Sequence, residues 1–191
     1  MTIQSNKIFT PQGLLEDVEK DPKLDFLMNI FNIPRAFGVS GFGGNWDVGK
    51  HSYATALIAI FWSKFNKYSD EVRNKLVCMA LLHDLHESVT GDILPMFKTD
   101  ELRAKLDELQ NNILEALNVK YDEKLETDLK ICDLIAFYYE VKQVSPNIMN
   151  PKKMALANIM AQNQLETINT YCTKKGIEKN LIKKFINSLE I

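Results

Sequence analysis

The segment from His51 to about Asn66, HSYATALIAIFWSKFN, is apolar on nearly all sides at helical spacing. A helix of that kind has no polar face to turn toward water, so it belongs near the centre of a fold with other elements packed around it. The remaining chain must supply those elements, and its punctuation is almost entirely helical. Thr10-Pro11 and Asp21-Pro22 each read as an N-cap followed by proline at the first helical position, opening short helices that run toward Lys20 and Phe31, the second ended by Pro34. Ser69-Asp70 opens a long helix, EVRNKLVCMALLHDLHESV, with Gly91 as its terminator. Thr99 caps an amphipathic helix in which Leu102, Leu106, Leu109 and Ile113 share a face. Asp122 to about Val144 forms another, stopped by Pro146, and Asn150-Pro151 begins one more that Gly176 closes before a last short helix. With few strand signals and no internal repeat, the expectation is an all-α, compact helical bundle, 191 residues forming a single domain.

Five of the eight glycines fall between Gly38 and Gly49, in GVSGFGGNWDVG. Such backbone freedom inside a compact domain marks a loop, and loops of this kind often carry function. Charge narrows the partners: 23 Lys+Arg against 25 Asp+Glu, with no basic block, is a poor match to a nucleic-acid backbone, whereas one small anion needs only a few placed cations. Cys78, Cys132 and Cys172 are odd in number and widely spaced, two of them in apolar helical stretches, so they read as reduced core cysteines. The first residues lack a signal-peptide pattern and no apolar run approaches the roughly 18 residues of a membrane span, so the cytoplasm is the expected compartment and no membrane is expected as a partner.

The three histidines, His51, His83 and His86, all lie on the two most apolar helical segments. Asp84 in MALLHDL and Asp133 in KICDLIAF are flanked by residues that seek burial. A buried carboxylate must be paired, protonated or bound to metal. Lys130 or a distant arginine can pair with them, and a buried His–Asp contact between helices is one reading of the set. Two imidazoles and two carboxylates also suit a divalent ion of intermediate hardness, Co²⁺, Mn²⁺, Zn²⁺ or Fe²⁺, better than an all-oxygen calcium cage. His86, about 200° around the helix from Asp84, should face away from that group. No Glu-x-x-His pair occurs, which disfavours a ferritin-like di-metal centre.

His51, the adjacent pair His83-Asp84 and a later Asp133 together resemble the H…HD…D pattern of the HD superfamily of metal-dependent phosphohydrolases. The segment HDLHESVTGD places Glu87 and Asp92 where bacterial HD-type 5′-deoxynucleotidases carry H-D-x-x-E-x-x-x-G-D, and Arg35 is similar to the arginine those enzymes have upstream of the first histidine. The likeness spans about residues 30 to 140. It implies a metal on His51, His83, Asp84 and Asp133, general acid/base work by Glu87, a water- or sugar-directed Asp92, and a phosphate contact from Arg35 through its forked donors. It also implies a small nucleotide substrate and a homodimer. Lys50 stands where those enzymes typically have an acidic residue, so it either assists the phosphate or simply starts the helix at the surface. Trp46 and Phe42 either stack on a base or anchor the loop. Compact phage proteins of the same superfamily look like deoxynucleoside triphosphate hydrolases, which keeps triphosphate release open beside monophosphate hydrolysis. A non-catalytic helical module, with or without a structural metal, is the third possibility.

Overall fold

The computed structural model describes residues 18–35 and 46–191. The Thr10-Pro11 cap, Phe42 and most of the glycine-rich stretch lie outside them. The described residues form helices α1 (Leu24–Leu27), α2 (Val48–Phe65), α3 (Asp70–Leu82), α4 (Glu87–Thr90), α5 (Asp100–Ala116), α6 (Glu126–Val144), α7 (Pro151–Lys174) and α8 (Lys179–Ser188), with short 3₁₀ turns between some of them and no strands. The all-α expectation is met.

Several caps act as the residue types demand. Ser69, Thr99 and Asn150 accept hydrogen bonds from the first turns of α3, α5 and α7, and Gly176 follows α7 at φ 75°, where a side chain would be strained. Two expectations need correction. The helix expected after Asp21-Pro22 begins only at Leu24 and passes into a 3₁₀ turn at Met28–Phe31. Asp21 pairs with the ammonium of Lys23 instead of capping the backbone. The central helix starts at Val48 rather than His51, because Asp47 caps it by accepting the Lys50 N–H at 2.7 Å.

α2 packs against α3 on one side and α6 on another. Trp62, Ile58 and Ala59 meet Leu76, Met79 and Ala80 from α3 and Ile131, Cys132 and Ile135 from α6, while α7 and α8 close the same core with Ile168, Cys172 and Phe185. Cys132 and Cys172 are unpaired and buried in this core as expected, whereas Cys78, unpaired too, is only partly buried and so is not the core cysteine it was expected to be. α2 is not covered all round, however. Tyr53, Leu57, Ile60 and Phe61 form a stripe open to solvent, because the neighbouring helices approach from the other sides. At the far end of α2 a buried carboxylate is fully satisfied: Asp128 accepts from the Trp62 indole N–H at 2.7 Å, from the Tyr68 hydroxyl at 2.9 Å and from the Lys175 ammonium. No described helix is long and apolar enough to cross a membrane.

Candidate metal centre

Three local devices place the site. An isolated antiparallel bridge joins Pro34 to Asp47, with the Arg35 N–H donating to Trp46 O and the Val48 N–H to Ile33 O, both at 3.0 Å. It fastens Arg35 beside the first turn of α2, which carries His51. α6 contributes Asp133 from its middle. The third device corrects the sequence reading: the expected helix through His83 to Val89 ends at Leu82, and residues 83–86 form turns before α4. In an unbroken helix the His86 N–H would donate to Leu82 O. Here the Gln110 side chain from α5 takes both positions, donating Nε2–H to Leu82 O at 2.6 Å and accepting the His86 N–H at 3.0 Å. A side chain inserted into the ladder breaks the helix at the dyad.

His51, His83 and Asp133 each present a ligand atom, all within 4.8 Å of one another. His51 Nε2 is 3.0 Å from Asp133 Oδ1 and His83 Nε2 is 3.9 Å from the same oxygen. Asp84 stands at the edge of this trio, its Oδ2 3.0 Å from His83 Nε2. The four expected ligands are therefore gathered from two helices, α2 and α6, and the turn that follows α3. The donor set fits a cation on a specific observation. His83 Nδ1 lies 2.9 Å from Ala80 O, a carbonyl that can only accept, so the proton sits on Nδ1 and the lone pair on Nε2. That Nε2 is buried with no hydrogen-bond partner and faces two carboxylate oxygens. Three acceptors converging on one point call for a positive charge between them.

The electrostatics show the other way that need can be met: burial opposes a charge on His83, but Asp84 and Asp133 raise its pKa, so a proton on Nε2 stands in for the cation. Burial works to raise the Asp84 pKa, but His83 in contact, with His51 and Arg35 nearby, holds it well below the usual carboxylate range. Burial likewise opposes ionisation of Asp133, and Lys130, at 2.7 Å, together with His51 overcomes it. His86 turns to Gln110, with Nδ1 3.1 Å from Oε1, and stays out of the ligand group as expected.

Arg35 is not a surface residue. Its side chain is 12% exposed, with Nη1 3.9 Å from Asp84 and 3.7 Å from Asp92, and Nε 3.5 Å from Glu140. Burial opposes its charge, but those three carboxylates more than offset the penalty and raise its pKa. Glu87 is 3% exposed, 3.9 Å from the Lys98 ammonium. Burial first, then the negative charges of Asp84 and Asp92, push its pKa up to about 9. Asp92 follows Gly91, whose φ of 72° turns the chain back toward the site.

Lys50 is half-exposed and pairs with Asp47 at 3.0 Å, which matches the surface helix start. Trp46 meets Tyr139 edge-on at 5.8 Å and packs by Val141 and Ile148, an anchoring position. Sequence reasoning missed Gln110 and Glu140. Gln110 is one amide on an amphipathic helix and offers no signal. Glu140 has one: it lies seven residues after Asp133 on the same apolar helix.

A helical bundle that gathers His, His-Asp and Asp around one point beside a buried arginine has the donor set of a metal-binding domain. Residues 43–150, more than half of the chain, match the HD domain family, and the chain belongs to it. HD domains bind divalent metals and form a superfamily of metal-dependent phosphohydrolases. Among solved structures, a conserved hypothetical protein from Pyrococcus furiosus is similar at a TM-score of 0.59 and 18% identity, covering 88% of this chain and 99% of that one. That likeness concerns the fold. A search of curated proteins finds no match.

Proposed function

We propose that the chain hydrolyses the phosphate ester of small nucleotides, with deoxynucleoside 5′-monophosphates as the substrate class. The observation that carries the reading is Arg35: a buried, forked cation beside Asp84 of the ligand group, held there by the Pro34–Asp47 bridge. Such a guanidinium matches phosphate oxygens in pairs. The H-D-x-x-E-x-x-x-G-D spacing of His83, Asp84, Glu87 and Asp92 supports the monophosphate class.

A divalent cation held by His51, His83, Asp84 and Asp133 supplies Lewis acidity at a phosphoryl oxygen and makes water a better nucleophile near neutral pH. The chain's own residues do the rest. Arg35 binds and orients the phosphate. Water attacks phosphorus, the bond from phosphorus to the 5′-oxygen breaks, Glu87 gives its proton to the departing oxygen, and the proton shed by the attacking water returns to Glu87. The elevated pKa of Glu87 suits a proton donor, since the carboxyl keeps its hydrogen at neutral pH. Asp92, tied to Arg35, keeps the guanidinium aimed and is placed to contact the sugar or the attacking water.

The test is product analysis on a panel of deoxynucleoside mono- and triphosphates with added Mn²⁺ or Co²⁺. Inorganic phosphate from monophosphates is expected. Triphosphate release would assign the triphosphohydrolase reaction instead, and release of neither from metal-loaded protein would leave a non-catalytic binding module. Glu87→Gln should keep metal and lose turnover.

A further inference from the structure

Glu140 is fully buried, and neither of its carboxylate oxygens accepts a hydrogen bond. Burying a carboxylate in that way is costly, so its position calls for a compensating role. The same oxygen, Oε2, lies 3.5 Å from Arg35 Nε and 3.7 Å from His51 Nδ1. His51 Nδ1 is itself buried without a hydrogen-bond partner. Because Glu140 follows Asp133 by seven residues, about two turns, both acids project from one face of α6. The His51 ring is thus bracketed by two carboxylates of a single helix: Asp133 at Nε2 and Glu140 toward Nδ1.

The bracket has a chemical consequence for the ring. If Nε2 is to offer its lone pair to a cation in place of its 3.0 Å contact with Asp133 Oδ1, the hydrogen must sit on Nδ1, where the Glu140 carboxylate stands 3.7 Å away, a small shift short of hydrogen-bond distance. A histidine ligand that donates its other N–H to a carboxylate is held in orientation and made more basic. His83 meets the same need with the neutral carbonyl of Ala80, so the two imidazoles of the site are supported unequally.

We infer that Glu140 is a positioning residue, which fixes the Nδ1–H tautomer of His51 and, through Arg35 Nε, ties the orientation of the metal-side ring to that of the guanidinium. This assignment rests on the metal centre proposed above. A simple ion pair with Arg35 would make a different prediction, because metal affinity would not then depend on residue 140.

The experiment is a Mn²⁺ titration of the full chain by calorimetry, with the visible absorption of the Co²⁺-loaded protein as a second readout. Wild type, Glu140→Gln and Glu140→Leu are compared, with circular dichroism confirming that each is folded. Glu140→Gln keeps the shape and removes a buried charge, so it should fold even if the leucine variant does not. The expected result is an affinity for Mn²⁺ about 10- to 100-fold weaker in Glu140→Gln, a larger loss in Glu140→Leu, and an altered Co²⁺ spectrum in both. Affinity within about twofold of wild type and an unchanged spectrum in Glu140→Gln would overturn the role given to Glu140. Failure of the wild type to take up Mn²⁺ would instead overturn the metal centre, and this assignment with it.

Discussion

Replacing Glu87 by glutamine should make the metal-free protein more stable, although it removes the proposed proton donor. The reason is the environment of the carboxyl. Its ordinary pKa is 4.5, and in the folded chain burial and the charges of Asp84 and Asp92 raise it to about 9. Between those two values the unfolded chain has lost the proton and the folded chain keeps it, so folding takes up a proton and becomes harder as pH rises. The contribution of Glu87 is therefore complete below pH 4.5 and is lost progressively toward pH 9. At about 1.4 kcal/mol per pH unit, a protein at pH 7 stands roughly 2.5 units into that window, a penalty on the order of 3 kcal/mol. Glutamine resembles the protonated carboxyl in shape and carries no such penalty. Urea unfolding followed by far-ultraviolet circular dichroism, in the presence of a chelator, measures the difference between the two proteins and so cancels the titrating groups that do not interact with residue 87. Glu87→Gln should exceed wild type by roughly 3 kcal/mol near pH 7 and by under about 1 kcal/mol near pH 5. Added Mn²⁺ should narrow the gap, since a cation beside Asp84 offsets part of the field that holds the proton on Glu87. A variant no more stable than wild type at pH 7, or a gap of equal size at both pH values, would refute the reasoning.

Three further outcomes are expected. Asp84→Ala should lose bound metal, measured by elemental analysis after dialysis, and full retention would remove Asp84 from the ligand set. Asp128→Ala strands the buried Trp62 N–H, while the Tyr68 hydroxyl keeps its contact with Lys175; a cost of about 3 kcal/mol in urea unfolding follows, reported also by indole fluorescence. Gln110→Ala leaves the His86 N–H unpaired and Leu82 O with only the Leu85 N–H, at 3.3 Å, at the break that positions α4; it should cost about 1 to 3 kcal/mol and lower turnover while metal stays bound.

Much of the architecture was legible because it depends on local chemistry. Ser69, Thr99 and Asn150 cap helices where a short polar side chain precedes an apolar repeat, and Gly91 and Gly176 take up positive φ. The partly buried acids Asp84 and Asp133 are equally legible, since a carboxylate among leucines and isoleucines demands a partner wherever the helix packs. The reading failed where a distant group decided the outcome. Nothing near residue 83 says that the helix ends there, because the break is made by an amide from α5. An unbroken helix would set Glu87 one turn beyond His83; it reaches the acid cluster although the intervening residues are turns. Trp46 and Lys50 offered binding or bland roles with equal chemistry, and the choice rested on whether Tyr139 and Asp47 lay beside them.

By itself, then, the chain determines its helices, their caps and the residue types of the metal group, since each follows from periodicity, capping and the cost of burying charge. Tertiary structure alone decides how those groups act on one another. It sets His51 between Asp133 and Glu140, Arg35 among three carboxylates, and Gln110 in the ladder of the dyad helix. Hydrogen bonds and charge fields act over a few ångströms in space, and residues 51, 110 and 140 become neighbours of their partners only when the bundle closes.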